Sequence, residues 1–209
     1  MDDRHDFPLP ELAELVGSRL CHDLVNPLSA ISNGMELIGL SGAPRSPELD
    51  LIGSAIEDAM ARIRFFRVAF GAARADETLS EREMREIVAA IFGSGRLTVD
   101  WQVRGDLPRK DAKQGFLLLN CAESVLPLGG CLSVRREGER WELSGTGRKL
   151  AIDETLWQLL DEPALAVASL PASRVQFALL ARDTAENGQR VRLVQDQEDL
   201  KFTVHVTKA

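Results

Sequence analysis

Between residues 18 and 38 the apolar positions recur at helical rather than strand spacing: Leu20, Leu24, Leu28, Ile31, Met35 and Ile38. At about 100° per residue these six fall within roughly 80° of one another, which predicts an amphipathic helix with a single apolar stripe. The helix is expected to begin near Pro8 or Pro10 and to end between Gly39 and Gly42. Pro27 lies inside it, removes a backbone donor, and predicts a bend just after His22. His22 falls roughly 160° from the middle of the stripe, so a helix that buries its leucines must turn His22 to water. Asn26, Ser29 and Asn33 share that outer face, with Arg19 and Asp23 on its flank.

A short polar turn, Ser41-Gly-Ala-Pro-Arg, separates this helix from the next. Ser46 has the chemistry of an N-cap and Pro47 that of a first helical residue. Beyond them Leu49, Ile52, Ile56, Ala59, Ile63, Phe66 and Phe70 form a seam spaced alternately three and four residues apart. That spacing asks for a partner helix packed nearly parallel or antiparallel, and the short turn makes the pair an antiparallel hairpin. A lone hairpin cannot cover both of its apolar faces, so two copies are predicted to pair as a four-helix bundle. With the turn near Ala43 and Pro44, His22 lies level with Arg64 and Phe65. Phe65 points away from the seam, which marks it either for packing on a second domain or for a docking surface. The neighbouring arginines could steer an acidic partner.

The pattern changes after Gly71 to Thr78, and residues 1–75 and 76–209 are expected to form separate domains. Leu79-Ser-Glu-Arg-Glu-Met84 combines a capping box with a hydrophobic staple and opens a helix that stops at Gly93. Leu97, Val99, Trp101 and Val103 alternate as a strand. A helix follows from about Asp111 to Leu126, and then a hairpin turns about Glu137-Gly138. Asp153 opens a short helix and Pro171 another, which ends at Asn187-Gly188. Gln189 to Val194 and Leu200 to Val206 close the chain as a second hairpin. The whole is α+β: a helical hairpin followed by an α/β sandwich with helices on one face of a mostly antiparallel sheet.

Composition narrows the possible functions. A net charge of −7 with no basic stripe argues against a nucleic-acid surface. There is no apolar run long enough to span a membrane, and the acidic start Met-Asp-Asp-Arg-His-Asp does not read as a signal peptide. Cys21, Cys121 and Cys131 lack metal-ligand spacing and read as reduced cytoplasmic thiols, so no metal and no cofactor is expected.

His22-Asp-Leu-Val-Asn-Pro-Leu28 resembles the phospho-acceptor box of two-component histidine kinases. An exposed imidazole is a competent nucleophile near neutral pH, and an adjacent carboxylate can fix its tautomer and accept a proton. His22 and Asp23 are therefore the candidate catalytic residues. The element order of the second domain resembles the ATP-binding domain of the same kinases, but the nucleotide contacts do not match. The Asp-x-Gly-x-Gly stretch that would hold adenine reads Leu143-Ser-Gly-Thr-Gly147. The Mg²⁺ box is reduced to Asn120, and Leu170 to Val175 lacks the glycines of a phosphate-binding lid.

The residues Ser18 to Leu37, Arg64 to Gly71 and Leu126-Pro-Leu-Gly-Gly130 resemble the alphaproteobacterial histidine phosphotransferases. The resemblance implies a cytoplasmic homodimer that takes phosphate from the receiver domain of a hybrid histidine kinase. It would pass it to receiver domains of response regulators such as a CtrA-type transcription factor. Arg19, Asn26, Ser29, Asn33, Arg64 and Phe65 would form the partner-binding surface, with Mg²⁺ carried by the partner receiver. Two alternatives stay open from the residues alone: an ATP-dependent histidine kinase, and a non-catalytic adaptor for receiver domains.

Overall fold

The computed structural model describes residues 9–41, 46–93, 95–160, 170–196 and 198–209, with side chains from residue 13 onward. The chain divides into two compact units, Met1–Ala73 and Arg74–Ala209.

The first unit is a pair of helices, α1 (Leu9–Leu40) and α2 (Pro47–Ala69). The turn expected at Ala43 and Pro44 lies outside the described residues. α1 runs through Pro27 without a break. Proline has no N–H to give the Asp23 carbonyl one turn back, so the helical ladder loses its bond beside His22. α2 opens on the local chemistry of its first residues. Ser46 Oγ accepts the Leu49 N–H at 3.3 Å, Pro47 leads the helix, and Glu48 and Asp50 sit in the positive first turn.

Contacts at both ends fix the pair as antiparallel. Near the start of α1, Ser18 Oγ accepts the Ala72 N–H at 3.0 Å, and a Cβ at Gly17 would stand 3.1 Å from the Phe70 carbonyl oxygen. At the other end Ser32, Met35 and Gly39 line a groove with Leu49, Gly53 and Ile56.

The apolar residues of each helix divide between two faces. Cys21 is buried, and Val25, Leu28 and Met35 are half-buried. Leu20, Leu24, Ile31 and Ile38, expected to be covered with Leu28 and Met35, are instead 42–58 % exposed within the chain. The α2 seam splits in the same way: Ile56 and Ile63 are buried, while Ile52 and Phe66 stay exposed. One α2 helix is about 10 Å across and covers only part of a stripe this wide.

The second unit follows the order β1 (Thr78–Leu79), α3 (Glu81–Phe92), β2 (Leu97–Trp101), β3 (Leu107–Pro108), α4 (Arg109–Glu123), β4 (Gly130–Glu137), β5 (Arg140–Gly147), α5 (Glu154–Gln158), α6 (Val175–Glu186), β6 (Gln189–Asp196) and β7 (Lys201–Lys208). Five strands form one sheet in the order β2-β4-β5-β7-β6, parallel between β2 and β4 and antiparallel elsewhere. The register sets Val134 opposite Leu143, Leu143 opposite Val204, and Trp141 opposite Val206, which gathers the large apolar side chains on one face. Met84 of α3, Phe116 and Leu117 of α4, and Phe177 and Leu180 of α6 are buried with them. The opposite face carries Ser133, Glu142, Ser144, Thr203 and His205, all half-buried, so the unit is a two-layer α/β sandwich.

Helix starts follow the caps read from the sequence: Ser80 Oγ accepts the Glu83 N–H, and Asp153 the Leu156 N–H. Two details differ. The two-residue β1–β3 pair is too short to leave a periodic signal. The helix expected from Pro171 begins as a single 3-10 turn, Ala172–Arg174, and becomes α-helical only at Val175.

Candidate functional site

α1 carries His22 on a face turned to solvent, with 68 % of its side chain exposed. Its Nδ1 lies 3.1 Å from Asp23 Oδ1, and Arg19 Nε donates to the other carboxylate oxygen, Oδ2, at 2.7 Å. Arg19 and Asp23 are one helical turn apart, the spacing at which opposite charges meet on a helix surface. The hydrogen bond with His22, and then the Arg19 guanidinium, hold the Asp23 carboxyl below its ordinary range. Asp23 is therefore an anion at neutral pH and can only accept, so the hydrogen on His22 Nδ1 is the one that bridges them. In the neutral ring that leaves the lone pair on Nε2, the nitrogen farther from the backbone.

Each expected site residue has a definite place. Asn26 and Asn33 are exposed and Ser29 is half-buried; at about 100° per residue all three lie within roughly 40° of His22 around α1. Arg19 is exposed and reaches forward along the helix to Asp23 rather than outward alone. Arg64 is exposed on α2. Phe65, expected either to pack on a second domain or to form part of a docking surface, is only 2 % exposed and sets its ring edge-on to Phe66 at 6.1 Å. A ring so covered offers no face to a partner, and Phe65 belongs to the core.

The level of His22 also shifts. The contacts of residues 17 and 18 with residues 70 to 72 put position 22 beside about residues 66 and 67, part of a turn beyond the expected Arg64 and Phe65. Arg67 acts electrostatically on Cys21, immediately before His22; burial pushes the Cys21 thiol up, and the guanidinium partly offsets this. Arg67 is one of the neighbouring arginines of the 62–67 segment read from the sequence, whereas the Ser18 pin was not singled out. The signal for Ser18 is its place beside Gly17, where two small side chains let α1 approach the end of α2.

The second unit shows why the Leu143 to Gly147 stretch differs from a nucleotide pocket. Leu143 is fully buried, flanked in register by Val134 and Val204. Gly145 lies against Phe202: a Cβ there would fall 2.3 Å from Phe202 Cε1 and 2.7 Å from Leu132 Cδ2. The space beside this glycine is filled by the chain's own core. Asn120 on α4 is half-buried.

Residues 81–199 match the model of the histidine phosphotransferase C-terminal domain. Over 201 residues, covering 92 % of this chain and 94 % of the relative, the sequence is 30 % identical to protein phosphotransferase ChpT of Brucella abortus (strain 2308). The chain belongs to the histidine phosphotransferase family. A solved bacterial phosphotransferase, 25 % identical, superposes with a TM-score of 0.69 over 96 % of this chain and 97 % of that one. As a member of this family, the chain keeps the sandwich of the C-terminal domain, and ahead of it the helical pair that carries His22. Among the described residues no group of three or more His, Cys, Asp or Glu could hold a metal ion. No helix among them is long and apolar enough to cross a membrane.

Proposed function

We propose that the protein is the histidine phosphotransfer component of a phosphorelay, with His22 as the phosphoryl carrier. It would take phosphate from the receiver aspartate of a hybrid histidine kinase and deliver it to the receiver aspartate of response regulators, those of the CtrA type included. The observation that carries this reading is the exposed His22 ring whose Nδ1 is held by Asp23, leaving Nε2 free. Nε2 attacks the phosphorus of the receiver's acyl phosphate, the N–P bond forms, and the P–O bond to the receiver carboxylate breaks. The ring then carries a positive charge that Asp23 stabilises through Nδ1–H. In the second half-reaction a receiver carboxylate attacks the same phosphorus and His22 leaves as the neutral imidazole. Phosphoryl transfer depends mainly on positioning and charge neutralisation, and the partner receiver would supply Mg²⁺ and most of that charge. Asn26, Ser29 and Asn33 surround the nucleophile and would contact the receiver. Arg64 would lie at the rim of that contact, beyond the level of His22.

A homodimer in the cytoplasm completes the proposal. Leu20, Leu24, Ile31 and Ile38 of α1, with Ile52 and Phe66 of α2, form an open apolar face on the hairpin. A second copy presenting the same face would close it as a four-helix bundle and leave His22, about 160° away on α1, in solvent.

The test is incubation with a phosphorylated receiver domain in the presence of Mg²⁺. An acid-labile phosphate should map to His22 and be absent from the His22→Ala variant, whose fold an exposed substitution leaves intact. A wild-type protein that takes no label would leave the adaptor reading in its place.

A further inference from the structure

Among the described residues, the outer edge of the sheet in the second unit is a strand without a partner. β6 is bonded to β7 on one side and is the last strand of the sheet order on the other. The ladder fixes which backbone groups face the open side. The Ala209 N–H donates to the Gly188 carbonyl at 3.0 Å, so this pair, in line with the β6–β7 register, is a hydrogen-bonded one. Bonded and non-bonded pairs alternate along an antiparallel ladder, so Arg190, Arg192 and Val194 turn their backbone groups to β7. Val191, Leu193 and Gln195 therefore turn theirs outward, three residues in a row whose N–H and C=O groups meet no backbone partner among the described residues.

The side chains of β6 alternate in the other sense. Val191 is buried and Leu193 half-buried on the helical side, while Arg190 and Arg192 are exposed on the opposite face. Beside the edge runs a groove of about 500 Å³ whose apolar walls are Ile152, Trp157, Val191 and Leu193, with Glu154 as its one carboxylate and Arg190 and Arg192 reaching its rim from the strand's other face. Trp157 is held from behind by Phe177, edge-on with 5.4 Å between ring centroids, so this wall is fixed. Neither the Arg190 nor the Arg192 side chain has a hydrogen-bond or ion-pair partner among the described residues.

We propose that β6 receives an extended segment of another protein as an added strand. A strand laid along this edge also alternates its side chains. Those on the groove side meet Ile152, Trp157 and Leu193 and must be aliphatic. Those on the other side meet Arg190 and Arg192 and must be acidic, since cross-strand opposite charges attract and like charges repel. The same two arginines act against a second copy of β6, which would bring guanidinium to guanidinium, so the occupant is a different chain. Its signature is a short run of alternating acidic and aliphatic residues without proline at the bonded positions.

The proposal stands apart from the reading of His22 and is tested on the full-length protein by fluorescence anisotropy. The probes are a labelled octapeptide alternating glutamate and valine and its lysine–valine counterpart. The glutamate peptide should bind saturably and the lysine peptide should not. Arg190→Glu combined with Arg192→Glu should weaken the glutamate peptide by at least about tenfold and shift preference to the lysine peptide. N-methylation at alternate peptide nitrogens, which removes the edge hydrogen bonds while keeping every charge, should abolish binding. Absence of saturable binding overturns the proposal, as does binding indifferent to charge reversal. Equal binding of the N-methylated peptide would mean that charge alone holds it, and would overturn it too. Phosphate acceptance at His22 should be unchanged in the double variant.

Discussion

Asp23 Oδ1 stands 3.1 Å from His22 Nδ1, and this contact decides which ring nitrogen keeps the free lone pair. An anionic carboxylate can only accept, so the ring keeps its hydrogen on Nδ1 and its lone pair on Nε2. Asp23→Asn keeps the size but lets an amide N–H point at Nδ1, favouring the tautomer with hydrogen on Nε2. Phosphate acceptance from a receiver should slow by on the order of tenfold to a hundredfold, with thermal stability unchanged. A rate equal to wild type in a single-turnover assay would show that Asp23 does not set the tautomer.

Arg19 reaches the same carboxylate from one turn back, 2.7 Å from Oδ2. Arg19→Ala should weaken the hold on Asp23 without freeing it, because the His22 contact is the larger cause of its lowered pKa. The expected effect is a few-fold loss of rate, smaller than for Asp23→Asn. An Arg19→Ala defect larger than that of Asp23→Asn would instead make Arg19 a direct partner contact.

The two apolar faces of the hairpin give distinguishable variants. Leu24 lies on the open stripe, 52 % exposed, and Ile63 is buried within the chain. Leu24→Asp should convert a dimer to a monomer of unchanged helix content, read by light scattering and circular dichroism. Ile63→Asp should lower helix content and stability, because it buries a charge without a partner. A Leu24→Asp protein of unchanged mass would mean that the open stripe is not an interface between copies.

What the sequence disclosed of this protein is what short-range chemistry decides. Ser46, Ser80 and Asp153 were legible as caps because a cap acts within three residues of itself. The exposure of His22 followed from helical phase alone. Periodicity did not separate Leu28 from Leu24, since both belong to one stripe and only the position of α2 tells them apart. Phe65 was recognisably off the seam, but whether it is covered depends on the tertiary fold. The filling beside Gly145 was hidden for the same reason: Phe202 is far along the chain and arrives there only through the β5–β7 register. Arg19 and Asp23 were placed on one flank by helical phase, and the ion pair between them came only with the structure.

That filling leads to a prediction about nucleotides. With Leu143 fully buried and Phe202 against Gly145, the stretch offers adenine neither an acceptor nor room. Calorimetry with ATP and Mg²⁺ should show no saturable binding at micromolar concentrations. Leu143→Asp should not create binding. It should cost several kcal/mol of stability, because an unpaired carboxylate between Val134 and Val204 must stay desolvated or take a proton. Saturable ATP binding by the wild type would replace the phosphotransferase reading with a kinase.

Asp183 contributes one pH dependence to the second unit. Burial raises its carboxyl to about 6, against the attraction of Gln114 and Lys113 and with the repulsion of Glu186 and Asp111. Gln114 Nε2 donates to Asp183 Oδ2 at 2.6 Å and to Gln189 Oε1 at 2.7 Å, so this one amide ties α4 to α6 and β6. A raised carboxyl pKa means that the folded chain holds the proton to higher pH than the unfolded chain does. Between about pH 4 and pH 6 unfolding therefore releases a proton, and stability falls as pH rises through that window. Above it the penalty of the buried anion is complete, on the order of 2–3 kcal/mol. Asp183→Asn keeps an oxygen to accept from Gln114 and removes the charge. The variant should be more stable than wild type at pH 7.5, and the difference should shrink toward pH 4. Urea denaturation at several pH values measures both. A variant equally destabilised at pH 7.5 and pH 4.5 would show that Asp183 is ionised and satisfied in the fold, with Lys113 rather than burial setting its state.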